Sequence, residues 1–244
     1  MKFLAGILAG CLLATSAAAH DWRYGTFSAP TDRYAHAVLG DDIEYGGLEL
    51  RSLAEEKSLL FTITLPEDRV FEDLKPRKTT LGSDNHEAFV VVESQRDLGA
   101  QLAVYDIIEE GDAASLVKRA ATSHIGRSNR WLAPAGIADF DGDGLNDIAY
   151  VETPHLGKIL KIVTLKGDKL VPIVTPKSGF SNHAIGEDFI TSGVRECAGR
   201  VELLTPDGWR STLMAVRVEG GEIVAEPTSY EPTLAGIEQA KRCE

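Results

Sequence analysis

Four segments of this chain repeat one pattern at a spacing of about 50 residues: short strand, tight polar turn, second strand, second turn. The copies at 87–107 and 147–165 show it most clearly. In the first, Phe89-Val90-Val91-Val92 turns at Asp97-Leu98-Gly99 into Leu102-Ala103-Val104-Tyr105. In the second, Ile148-Ala149-Tyr150-Val151 turns at His155-Leu156-Gly157 into Leu160-Lys161-Ile162-Val163. Gly111-Asp112 and Gly167-Asp168 then lead into Leu116-Val117 and Leu170-Val171. A further copy runs through 201–204, the turn Pro206-Asp207-Gly208, 213–218, Gly220-Gly221 and 223–225, and an earlier one through Leu48-Glu49-Leu50 and 59–65. Short, evenly spaced strands with few helical stretches indicate an all-β sandwich or propeller. The self-similarity decides between them, because one unit cannot bury both of its faces and must stack on its neighbours. The expectation is an all-β chain, a β-propeller of four or five blades over 20–244, with one helix at 234–241.

The most informative local motif is Asp139-Phe140-Asp141-Gly142-Asp143-Gly144-Leu145-Asn146-Asp147. Its carboxylates fall at relative positions 1, 3, 5 and 9 of a single loop. Negative charges this close repel unless a cation sits among them, and calcium suits a flexible cage of oxygens. Gly142 and Gly144 permit the positive-φ turns that wrap a chain around an ion, and Leu145 can add its carbonyl. The same spacing opens an EF-hand. That motif, however, requires a bidentate Glu at the twelfth position and a helix on each side. The twelfth residue here is Tyr150, and both flanks, 134–138 and 148–153, read as strands.

The segment 137–149 resembles the calcium-loop signature of FG-GAP (VCBS) repeats, the blades of integrin-α-like propellers and of many secreted bacterial proteins. The resemblance is specific over some twenty residues and weaker elsewhere. It implies a loop between the first and second strands of a blade. It also implies calcium held by the side chains of Asp139, Asp141, Asp143 and Asp147 and by the carbonyl of Leu145. In the preceding unit the matching positions are Thr80, Gly82, Asp84 and Ala88, with only one carboxylate. One filled site is therefore expected, with the earlier loop held by turn chemistry.

The N-terminus has the form of an export signal: Lys2, the uncharged apolar run 3–13, and an A-x-A site at Ala17-Ala18-Ala19. Residues 1–19 are expected to be a signal peptide and the protein to be periplasmic or secreted. Leu8-Ala9-Gly10-Cys11 keeps a lipoprotein, anchored at Cys11, as the alternative. Without Cys11 an even pair remains, Cys197 and Cys243. In an oxidising compartment these form a disulfide; the alternative is two free thiols. The apolar run is too short to span a bilayer permanently. The chain carries a net charge of −12, which disfavours nucleic acid as a partner.

Function is less legible. A calcium loop on a propeller rim is structural. No Gly-x-Ser-x-Gly, His-Glu-x-x-His or P-loop sequence is present. If the innermost strands converge on an axis, His36, Arg77 and Arg195 form a cationic funnel, unless nearby acids neutralise them. Arg130 and Trp131 offer either an exposed contact surface or, for Trp131, packing between blades. The expected role is a non-enzymatic binding or scaffold module for a protein or a small anionic or carbohydrate ligand. The alternative is a hydrolase or lyase acting on a sugar or phosphorylated substrate through channel residues.

Overall fold

The computed structural model describes residues 22–53, 58–110 and 113–243. The proposed signal peptide and Cys11 lie outside them. The fold is mostly antiparallel β-sheet with one short helix.

The first sheet has eight strands: β1 (Trp22–Thr31), β2 (Glu44–Leu53), β3 (Ser58–Thr64), β4 (Arg69–Phe71), β5 (Arg77–Leu81), β6 (His86–Gln95), β7 (Gly99–Glu110) and β8 (Ala113–Ala121). The second contains β9 (Leu132–Ala138), β10 (Asp147–Glu152), β11 (Ile159–Lys166), β12 (Lys169–Pro172) and β13 (Lys177–Ser178). The third is a four-strand meander, β14 (Gly193–Cys197), β15 (Arg200–Pro206), β16 (Leu213–Glu219) and β17 (Glu222–Pro227). Helix α1 (Leu234–Ala240) follows, with the Thr233 hydroxyl accepting the Gly236 N–H at its start (3.1 Å).

The sheets stack face to face, which explains why the middle strands carry continuous apolar runs instead of alternating ones. On β6, Phe89 and Val91 enter one core while Val90 and Val92 enter another. On β10, Ile148 and Tyr150 face the first sheet, and Ala149 and Val151 face the third. Gly136 on β9 allows the third sheet to approach closely. A Cβ there would lie 2.6 Å from Val194 Cγ2 and 3.0 Å from Leu203 Cδ1.

Two features depart from four equal blades. The three-residue strand β4 pairs with both β2 and β6, so the segments expected to form the first and second blades share one sheet. That sheet curls into a half-barrel around Leu48, Leu50, Phe71, Phe89 and Tyr105. At the other end, α1 covers the outer face of the third sheet, with Ile237 and Ala240 packed on Leu204, Leu213 and Ala215. Cys197, at the end of β14, is bonded to Cys243 just beyond α1 (Cα–Cα 5.6 Å). The disulfide closes a loop 46 residues long in sequence, a constraint on the unfolded chain of about 3–4 kcal/mol.

Candidate metal centre and the residues around it

The loop between β9 and β10 is closed by the pair Ala138 and Asp147. The carboxylate of Asp139 organises the turn. It accepts the N–H groups of Gly142 (2.7 Å), Asp143 (3.1 Å) and Gly144 (2.8 Å). Gly142 and Gly144 adopt φ of +80° and +86°, values that favour glycine. The Asn146 amide donates to the carbonyl of Thr80 (3.1 Å), tying the loop to β5 of the preceding repeat.

Asp139, Asp141 and Asp147 each present a carboxylate oxygen within 4.8 Å of the others. The fourth expected ligand, Asp143, instead accepts the Leu145 N–H (2.9 Å). Asp147 is fully buried. One of its oxygens accepts the Phe140 N–H (3.0 Å), while the other, Oδ1, has no hydrogen-bond partner among the described residues. Burial raises its pKa to about 6. The Phe140 bond and the Thr164 hydroxyl oppose this, and repulsion from Asp141 and Asp143 adds to it. A buried carboxylate with one oxygen short of a partner, clustered with two other carboxylates, fits a hard cation with oxygen ligands. Asp139, Asp141 and Asp147 would hold it.

The three cationic candidates are each neutralised. His36 lies in the loop after β1, with Nδ1 2.5 Å from the buried carboxylate of Glu72, which the Ser94 hydroxyl also reaches. Arg77, the first residue of β5, grips Asp73 with two nitrogens (2.7 and 2.9 Å). Arg195 on β14 donates to Glu202 (2.6 Å) and to the carbonyl of Ala240 at the end of α1 (3.2 Å). Acids consume the positive charge that a funnel would need.

Trp131 is 2% exposed, so of its two readings the structure gives packing and not an exposed contact surface. Its indole N–H donates to the Glu72 carbonyl (2.8 Å), and the ring packs on Leu132 and Tyr150 in the core between the first two sheets. Arg130 is half-buried and donates to the carbonyl of its neighbour Asn129.

Sequence reasoning missed a histidine pair beside Trp131. His183 Nδ1 lies 2.9 Å from His155 Nε2, and both rings contact the indole. Burial lowers the pKa of both, that of His155 to about 4. The pair is separated by 28 residues, and no local pattern joins the two. A cavity of about 570 Å³ lies elsewhere, between β8 and the β11–β12 hairpin. The Glu152–Lys161 ion pair (2.6 Å) lies at its wall. No protein-family model matches the chain.

Proposed function

We propose that the chain is an exported, calcium-stabilised binding module of the FG-GAP/VCBS propeller type. The observation that carries this reading is the β9–β10 loop, where three carboxylates converge and one buried oxygen of Asp147 lacks a donor. Calcium bound there neutralises the loop and fixes the hairpin, and through Asn146 it steadies the junction with β5. The meanders β9–β12 and β14–β17 support the blade reading. The Cys197–Cys243 disulfide supports an oxidising compartment. No helix among the described residues is long and apolar enough to cross a membrane.

Calorimetric titration of chelator-stripped protein with calcium tests the centre, with one ion per chain expected. Intact mass of the exported protein tests cleavage after Ala19, and a diacylglycerol adduct on Cys11 would mark the lipoprotein alternative instead. One observation favours the enzymatic reading, the hydrogen-bonded pair His155–His183 at a cavity edge. Hydrolysis of a sugar or phosphorylated substrate that disappears in His155→Gln would establish it.

A further inference from the structure

The turn between β15 and β16 holds an indole out in solvent. Trp209 is 87% exposed, more than any other large apolar side chain among the described residues. Single exposed apolar residues are ordinary, but this one sits on a rigid support. The Asp207 carboxylate accepts the N–H groups of Ser211 (2.8 Å) and Thr212 (3.3 Å) and the Ser211 hydroxyl (3.0 Å). Arg210 takes a left-handed φ of +57°, and its guanidinium is anchored on Glu187 (2.8 Å). Strained backbone held this firmly is concentrated at functional sites. Lys158 donates to the Gly208 carbonyl and lies 5.3 Å from the indole centroid, so one face of the ring is backed and the other is free.

A cavity of about 320 Å³ adjoins the ring, with His155, Ser181 and His183 in its wall. The hydrogen bonds there fix both tautomers. His183 Nε2 donates to the Glu187 carbonyl (2.8 Å), so its Nδ1 accepts from His155 Nε2 (2.9 Å). His155, which lines the cavity, then keeps Nδ1 as its acceptor nitrogen.

We infer that Trp209 and this cavity form a binding site for a neutral saccharide, one pyranose ring stacking its C–H face on the free face of the indole while a hydroxyl donates to His155 Nδ1. An aromatic platform beside convergent polar atoms suits a ligand that is flat and apolar on one side and hydroxylated at its rim. An anionic ligand fits less well, because Lys158 and Arg210 are already engaged and the chain carries −12. A protein partner needs roughly 1,200 Å² of buried surface, whereas the concavity here matches one or two sugar rings. The inference rests on the binding-module reading and is independent of the calcium centre.

The test uses disulfide-intact protein in saturating calcium. It is titrated with cellopentaose, maltopentaose, mannopentaose, chitopentaose and, as the acidic arm, trigalacturonate, followed by calorimetry and indole fluorescence. At least one neutral oligosaccharide should bind. Trp209→Ala should weaken it about tenfold or more and Trp209→Phe less, with the unfolding temperature unchanged in both. The proposal is overturned if no neutral oligosaccharide binds, if Trp209→Ala binds like the parent, or if trigalacturonate binds most tightly. It is also overturned if Trp209→Ala merely dissociates an oligomer, which would make the patch a protein interface. Saccharide binding without any calcium uptake would sink the metal reading and leave this one standing.

Discussion

The β5–β6 and β9–β10 loops each join two antiparallel strands and meet a concentration of negative charge differently. In the first, the negative charge is met from within the protein. Arg119 on β8 donates to Asp84 (2.9 Å) at the loop and to the buried Asp106 (3.1 Å) on β7, and approaches Asp168 (3.6 Å). In the second, Asp139, Asp141 and Asp147 converge with no Lys or Arg among their ion pairs. Their charge is met mainly by backbone N–H groups, with the Thr164 hydroxyl beside Asp147, and Asp147 Oδ1 has no hydrogen-bond partner among the described residues. A loop neutralised by a tethered guanidinium carries its counter-charge within the folded chain, although Asp106 Oδ1 has no hydrogen-bond partner among the described residues. A loop neutralised by a free ion makes the fold depend on that ion's concentration.

The largest expected effect tests the self-sufficient loop. Arg119→Ala strips the main partner from buried Asp106 and leaves, among the described residues, His86 at 3.6 Å. We expect a loss of about 2–3 kcal/mol in denaturant unfolding, the same with calcium or with chelator. A loss that calcium reverses would show that the two loops are not electrostatically separate.

Asp147→Asn tests the other loop and should behave oppositely in the two conditions. With calcium at a hundred times its dissociation constant, the variant forfeits about 2.7 kcal/mol of ligand stabilisation. In chelator it should be at least as stable as the parent, because a buried, partly unpaired charge has been removed. Thermal unfolding in both buffers checks this. A variant that is destabilised equally in both would assign Asp147 a packing role alone.

The pH dependence follows from the same residue. Its folded-state pKa, about 6, lies above the ordinary aspartate value of 3.8. The associated stabilisation is therefore full below 3.8 and disappears as pH rises through 6. In chelator the parent should lose stability relative to Asp147→Asn between pH 4 and pH 7, and saturating calcium should reverse that difference in the parent's favour. A flat difference in chelator would mean that Asp147 does not titrate in this window.

The smallest effect distinguishes the ligands. Asp143 faces Leu145 N instead of the carboxylate cluster. Asp143→Ala should weaken calcium binding less than Asp139→Ala, which also releases three loop N–H groups. Equal losses would place Asp143 in the first rank of ligands.

Much of this contrast could be read from the chain. The Asp139–Asp147 spacing, the strands on either side of it, the helix near 234 and the Cys197–Cys243 pair are signals carried by local pattern or by parity. The fusion of the first two repeats was not legible. It depends on Arg69–Phe71, three residues that pair on both sides and are too few to show a period. The fate of the cations was hidden for a different reason. Glu72 is a buried acid that reaches His36 from 36 residues away, Asp73 meets Arg77 across the turn before β5, and Glu202 meets Arg195 across the β14–β15 pair. Composition, by contrast, suggests that acids lie on the surface. Arg119 and Asp84, 35 residues apart, were equally invisible. Trp209 follows an Asp-Gly turn that was recognised, but exposure of a single indole has no sequence signature.

The most direct test is differential scanning calorimetry of the disulfide-intact parent with saturating calcium and with chelator. The central claim is that the β9–β10 loop is completed by an ion while the β5–β6 loop is completed by Arg119. It predicts a higher unfolding temperature in calcium for the parent and for Arg119→Ala, and no calcium-dependent shift for Asp147→Asn. An unchanged unfolding temperature of the parent across the two buffers would contradict it.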